Sequence, residues 1–104
     1  MDQTDYEAFD FDGAAREIQS LGAKRGASAI FADAVCAIYF KAKEGEVLVQ
    51  LLESCLGRPD RLTTEQDGTL TYEYDWVGFL SIPSATCFVV KAGKVIGVAE
   101  QRQC

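Results

Sequence analysis

The hydrophobic pattern of this chain changes its period at Pro59, and this change constrains the fold more than any other feature. Before Pro59 the apolar residues recur with the period of about 3.6 residues that is typical of a helix, most regularly over residues 46–56. Gly57 then supplies a left-handed position that ends a helix, and Pro59 prevents its continuation. After Pro59 the period is about two, which is typical of strands with one buried face.

Two further elements are predicted before residue 46. Residues 13–24 carry one apolar face, and Gly22 fits the C-cap of a helix there. Residues 26–42 have two interpretations. Their alanines and their apolar stripe favour a helix with Ser28 as its N-cap, whereas residues 37–40 are also compatible with the start of a strand.

The second half of the chain is predicted to form hairpins. Residues 61–65 and 69–76 flank an Asp67-Gly68 turn, and a second pair of strands is predicted over residues 86–91 and 95–100. One face of the second strand carries Leu70, Tyr72, Tyr74 and Trp76. The three aromatic residues indicate either the inner face under the helices or a ligand-stacking platform. The predicted fold class is α+β, with N-terminal helices packed on one face of an antiparallel meander of three to four strands.

Acidic residues are concentrated at the N-terminus. Five of the sixteen acidic residues lie in residues 1–12, which contain no lysine or arginine, whereas the remaining residues are close to neutral. We therefore predict an acidic arm over residues 1–12 and a single α+β domain over residues 13–104. A surface that binds phosphates needs clustered lysines and arginines, which the sequence lacks, so direct nucleic-acid binding is disfavoured. The expected partner is another protein with a basic surface.

The chain has no histidine, which removes the serine–histidine and cysteine–histidine nucleophile systems and most catalytic metal sites. The four cysteines are widely spaced, unlike the close pairs of zinc sites. We therefore expect no catalytic residue, no metal and no cofactor. With no signal peptide and no apolar run long enough to span a membrane, we expect a cytoplasmic chain with free thiols. If a signal peptide has been removed, the alternative is a periplasmic chain with two disulfides.

Glu73 and Asp75 are predicted to lie on one face of a strand, about 7 Å apart along it. Paired carboxylates at such a spacing can perform acid–base chemistry on glycosides, and they are also common on a solvated sheet face. A small enzyme that uses carboxylates or a thiol, with Cys87 as the nearest thiol candidate, is therefore a further interpretation.

From residue 44 onward, the order of signals resembles the SmpA/OmlA (BamE-like) group. The matching features are the helix over 46–56 and four short motifs: Leu56-Gly57-Arg58-Pro59, Gly68 with Tyr72 and Tyr74, Phe88-Val89-Val90, and Gly93-Lys94-Val95. The resemblance implies a pair of helices on a sheet, acting as an adaptor whose sheet and loops bind another protein. It does not imply an enzyme.

The function predicted from the sequence is a non-catalytic inhibitor or immunity-type protein, of bacterial or phage type, which blocks a partner such as a basic nucleic-acid-processing effector. An adaptor of the BamE-like kind is the alternative. Acidic side chains steer association and aromatic side chains anchor in a partner's pockets. The predicted partner-binding residues are Asp5, Tyr6, Glu7, Phe9, Asp10, Phe11, Asp12, Glu73 and Asp75.

Overall fold

Helices cover one face of an antiparallel sheet, which confirms the predicted α+β class. The computed structural model describes residues 9–77 and 83–102 of the chain. In chain order, the helical elements are α1 (Phe11–Leu21), a 3₁₀ segment (Gly22–Ala27), α2 (Ala29–Glu44) and α3 (Val49–Cys55).

The first two helices begin and end at the residues that the sequence favours for caps. The Asp10 carboxylate accepts a 3.0 Å hydrogen bond from the Gly13 backbone N–H, so α1 begins at Phe11, two residues earlier than predicted. Gly22, with φ of 58°, ends α1 in the conformation that glycine adopts without strain. The Ser28 hydroxyl oxygen accepts from the Phe31 N–H at 3.2 Å, and this cap resolves the ambiguous segment as helix.

The sheet has five strands in the order β1-β5-β4-β3-β2, rather than the three to four that were predicted. The strands are β1 (Val47–Leu48), β2 (Arg61–Thr64), β3 (Leu70–Val77), β4 (Pro83–Lys91) and β5 (Lys94–Arg102). Strands β2 to β5 form the predicted meander, and β1 is added antiparallel to β5.

Strand β1 corrects the helix that was predicted over residues 46–56. Val47 pairs with Val95, and Leu48 pairs with Lys94. The Val49 N–H then donates a 2.8 Å hydrogen bond to the Gly93 carbonyl oxygen, so the helix starts only at this point. Val47 is buried in either arrangement, and therefore hydrophobic periodicity does not distinguish a two-residue strand from the first turn of a helix.

The core lies between α2 and the aromatic face of the sheet. Phe31 of α2 lies 6.3 Å from Tyr74 of β3, and Tyr74 lies 6.1 Å from Phe88 of β4, measured between ring centroids. All three side chains are fully buried. Of the two interpretations of the aromatic stripe, the structure supports the inner face under the helices, since Leu70, Tyr72, Tyr74 and Trp76 all pack in or against the core.

Arg25 joins the helical layer to the loop that follows α3. Its guanidinium donates hydrogen bonds to the carbonyl oxygens of Leu56 and Arg58, the latter at 2.6 Å. The same group lies 5.1 Å from the ring centroid of Phe31 and 5.7 Å from that of Tyr74. This forked donor thus holds two carbonyl groups of the loop that follows α3.

Candidate protein-binding site

The described part of the acidic arm presents two carboxylates. Asp10 caps α1, and Asp12 lies in its first turn; both residues are exposed. No basic side chain among the described residues forms an ion pair with either carboxylate. Negative charge at the start of a helix is favourable, because the unpaired N–H groups there carry partial positive charge. Three predicted site residues lie outside the described residues, namely Asp5, Tyr6 and Glu7.

The two aromatic residues of this part of the arm contact the chain's own core. Phe9 and Phe11 are partly buried against the core cluster, and their rings meet edge to face at 5.0 Å. The sequence predicted that they anchor in a partner's pockets. In this structure they instead attach the end of the arm to the domain, so the accessible groups here are the carboxylates of Asp10 and Asp12.

The second predicted pair, Glu73 and Asp75, lies on the opposite side of the sheet from the helices. By the alternation of β3, both side chains point away from the face that carries Tyr72 and Tyr74. The structure therefore does not bring this pair together with the carboxylates of the arm, which belong to the helical layer. The two predicted sets form two separate surfaces.

A single cation bridges Glu73 and Asp75. Arg61 of β2 is paired with Glu73 across the hairpin, and its guanidinium donates to Glu73 Oε2 at 2.5 Å and to Asp75 Oδ2 at 3.0 Å. The hydrogen bonds that Arg61 donates to these carboxylates, with Glu73 contributing most, raise the pKa of the guanidinium above its ordinary value. Because one arginine partly neutralises the pair, neither carboxylate stands as an uncompensated acid.

Arg61 is the site residue that the sequence reasoning missed, although a signal for it exists. The Asp67-Gly68 turn places Glu65 beside Thr69, and counting back along both strands sets Arg61 opposite Glu73. An opposite-charge pair at directly facing positions is a common feature of antiparallel strands.

A groove runs along the end of the sheet beside this bridge. It has a volume of about 470 Å³ and is lined by Gly26, Arg61, Glu73, Asp75, Trp76, Val77, Pro83 and Ser84. Asp60 borders the neighbouring depression; its carboxylate accepts a 2.7 Å hydrogen bond from the Asp75 N–H and lies 3.7 Å from Arg25. One arginine, Arg61, and two carboxylates, Glu73 and Asp75, thus line this groove.

The thiol of Cys55 is held in its neutral form. The side chain is buried at the end of α3, and burial, with a smaller contribution from the charge of Asp12, raises its pKa to about 11. A neutral thiol is a poor nucleophile near pH 7. Cys87, the candidate named from the sequence, is also buried. Within residues 9–77 and 83–102, no three Cys, Asp or Glu side chains converge in a way that would hold a metal ion.

Comparisons with protein-family models, with curated protein sequences and with solved structures found no match to this chain. The resemblance to the BamE-like group therefore stays a prediction. None of the helices that the structure describes is long and apolar enough to cross a membrane.

Proposed function

We propose that this protein acts by binding another protein, as a non-catalytic inhibitor or immunity-type protein, through the carboxylates of its acidic arm. The observation that carries the proposal is the availability of Asp10 and Asp12, which are exposed and have no ion-pair partner among the described residues. In the sequence they continue a run of acids that begins at Asp2. Uncompensated carboxylates attract a basic surface and accelerate association with it.

The contacts of Phe9 and Phe11 strengthen this proposal. Because both rings pack against the core, the start of α1 holds the neighbouring carboxylates in place on the domain. Charged groups that are already positioned lose less conformational entropy when a partner binds. A partner therefore meets two fixed carboxylates at this point of the acidic arm.

Glu73 and Asp75 have a secondary place in the proposal. A basic group of the partner would compete with Arg61, which already donates to both carboxylates. Exposed ion pairs are weak, so a basic group of the partner can replace Arg61. Because the contact with Arg61 is lost in this replacement, the net attraction is smaller than at a carboxylate that has no cation beside it. We expect these two residues to adjust affinity rather than to determine it.

Two features favour binding over catalysis. The raised pKa of Cys55 leaves that thiol protonated near neutral pH. The carboxylates of Glu73 and Asp75 both accept hydrogen bonds from the Arg61 guanidinium, so this cation already occupies the pair that would have to contact a substrate.

The test is capture of the partner from a cell lysate with immobilised protein in three forms. The first is the native chain, and the second is an arm variant in which five acids are neutralised, namely Asp2, Asp5, Glu7, Asp10 and Asp12. The third is a control variant of equal net charge, with neutralised Glu17, Asp33, Glu44, Glu46 and Asp67. Each Asp becomes Asn and each Glu becomes Gln; asparagine retains the helix cap at position 10.

We expect one stoichiometric protein to be retained by the native and control chains and lost from the arm variant. Equal retention by all three chains would contradict the role of the acidic arm. Retention of no protein by any of them would contradict binding itself.

A further inference from the structure

Among the described residues, strand β2 has a neighbour on one side only and forms an edge of the sheet. Its four residues are all exposed, and Leu62, on the face that carries Tyr72, is 54% exposed. The other edge strand among the described residues, β1, has only two residues and leads directly into α3. Natural sheets usually protect their edges with short strands, prolines or charges that point inward. Strand β1 is short in this way, whereas β2 contains no proline and no charge on its inner face.

The hydrogen bonds of the hairpin determine which groups of β2 point outward. The Glu65 N–H donates to the Thr69 carbonyl oxygen at 2.8 Å, so these two residues form a hydrogen-bonded pair. In an antiparallel ladder such pairs alternate with pairs that exchange no hydrogen bonds. Thr63 therefore directs its N–H and C=O toward β3, and Leu62 and Thr64 direct theirs toward the open edge.

We propose that two copies of this chain pair antiparallel through β2, with the two-fold axis at Thr63. In this register Leu62 lies opposite the partner's Thr64, and the symmetry repeats this pair on the other side of the axis. These are the residues whose backbone groups point outward, so each pair exchanges two hydrogen bonds. The two five-stranded sheets then form one continuous sheet.

The charges of the strand select the same register. Arg61 comes to lie opposite Glu65 of the partner subunit, on the outer face of the sheet, where its guanidinium also donates to Glu73 and Asp75 of its own chain. Moving the axis by one residue, to Leu62 or to Thr64, removes this charge pairing and one of the two hydrogen-bonded pairs.

The apolar side chain of the strand also gains a partner. On the inner face the two copies of Leu62 become diagonal neighbours across the axis, within reach of each other. This contact covers the side chain that the single chain leaves exposed. The backbone groups, the charges and the apolar side chain of β2 are thus each complementary to those of a second β2 strand. We therefore take the partner to be a second copy of this chain. The contact is small, so we expect a reversible dimer that forms at high protein concentration.

Sedimentation equilibrium of the full chain over increasing concentration tests the dimer. The first variant is Thr64→Pro, which removes an N–H that β3 does not use and should leave the fold intact, since edge strands tolerate proline at such positions. The matched control is Thr64→Val, which keeps both the N–H and the branched side chain. We expect the native chain and Thr64→Val to dimerise alike, and Thr64→Pro to dimerise at least 10-fold more weakly.

Disulfide trapping tests the register and does not depend on the proline variant. Facing residues in a pair without hydrogen bonds have Cα atoms about 4.5 Å apart, which a disulfide can span. Thr63→Cys should therefore form a crosslinked dimer in oxidising buffer, with the 63–63 bridge identified by peptide mass mapping. Thr71→Cys is the control, because Thr71 lies on β3 beside Thr63, outside the contact, and the two copies of position 71 lie about 14 Å apart in this register.

Three results would overturn the proposal. These are a native chain that stays monomeric at every concentration, a folded Thr64→Pro variant that dimerises like the native chain, or crosslinking at position 71 that equals crosslinking at position 63. The first of these results includes a monomeric chain whose β2 instead pairs with an extended peptide of another protein.

Discussion

The hydroxyl of Tyr74, in the centre of the inner face of the sheet, donates a 2.8 Å hydrogen bond to the carbonyl oxygen of Gly57, in the loop after α3. The ring of Tyr74 is also stacked near the guanidinium of Arg25, which donates to the carbonyl oxygens on either side of Gly57. Three successive carbonyl groups of this loop are thus held by two side chains, one from the sheet and one from the helical layer.

The first prediction concerns the hydroxyl of Tyr74. Tyr74→Phe keeps the ring in the core but removes the donor, so we expect the free energy of unfolding to fall by about 1 kcal/mol. The matched control is Tyr72→Phe, because the Tyr72 hydroxyl makes only a longer, 3.3 Å contact to Glu53, whose side chain is exposed. Urea unfolding of the three chains measures the difference; equal losses in both variants would contradict the importance of the Gly57 contact.

The second prediction concerns the guanidinium of Arg25. Arg25→Met keeps the apolar contact with Phe31 but leaves the Leu56 and Arg58 carbonyl groups without their donor, so we expect a loss of about 3 kcal/mol in the free energy of unfolding. Arg25→Lys should restore little, since an ammonium group cannot reach both carbonyl groups as a fork. The control is Lys24→Met, at the exposed residue next to Arg25. It should change the free energy of unfolding by less than about 0.5 kcal/mol.

The third prediction is a dependence of stability on pH that arises at Cys55. Its pKa in the folded chain is raised to about 11, first by burial and then by Asp12. Between pH 9 and this value the unfolded chain loses a proton that the folded chain keeps, and therefore stability falls as pH rises, by at most about 1.4 kcal/mol per pH unit from this group. Below pH 9 the contribution is fully present.

The variant Cys55→Ala isolates this contribution. The difference in unfolding free energy between the native chain and the variant should stay constant from pH 6 to 8 and narrow from pH 9 to 11. A difference that stays constant over the whole range would show that the thiol titrates alike in the folded and unfolded chains.

The fourth prediction concerns the turn between β4 and β5. Ala92 has a φ of 54° and is followed by Gly93 with a φ of 79°, so both residues of the turn are left-handed. Alanine in this conformation is strained by roughly 1–2 kcal/mol, whereas asparagine tolerates it. We expect Ala92→Asn to raise the free energy of unfolding by about 1 kcal/mol, measured as a higher melting temperature. An unchanged or lower melting temperature would contradict this account of the turn.

Much of this fold follows from local patterns. The period of two predicted β3 to within one residue, and the caps at Ser28 and Gly22 are the residue types that helix ends favour. Strand β1 could not be predicted, because two apolar residues fit a strand and a helix equally well. Its pairing with Val95 is a tertiary contact that the local pattern does not contain.

The site was less predictable than the fold. The role of Arg25 depends on carbonyl groups that are more than thirty residues away in the sequence. The segment around Arg25 has no hydrophobic periodicity from which its contact with the loop after α3 could be predicted. The inward orientation of Phe9 and Phe11 likewise depends on where the rest of the core lies. In contrast, the ion pair of Arg61 with Glu73 follows from the register of a hairpin whose turn was recognised.

The rate of association with the captured partner, measured by stopped flow at increasing ionic strength, tests the central claim most directly. The account predicts that neutralising the five acids of the arm lowers the rate at low salt and flattens its salt dependence, while the control variant of equal net charge behaves like the native chain. A rate at low salt that is the same for the native chain and the arm variant would contradict a role of the acidic arm in binding.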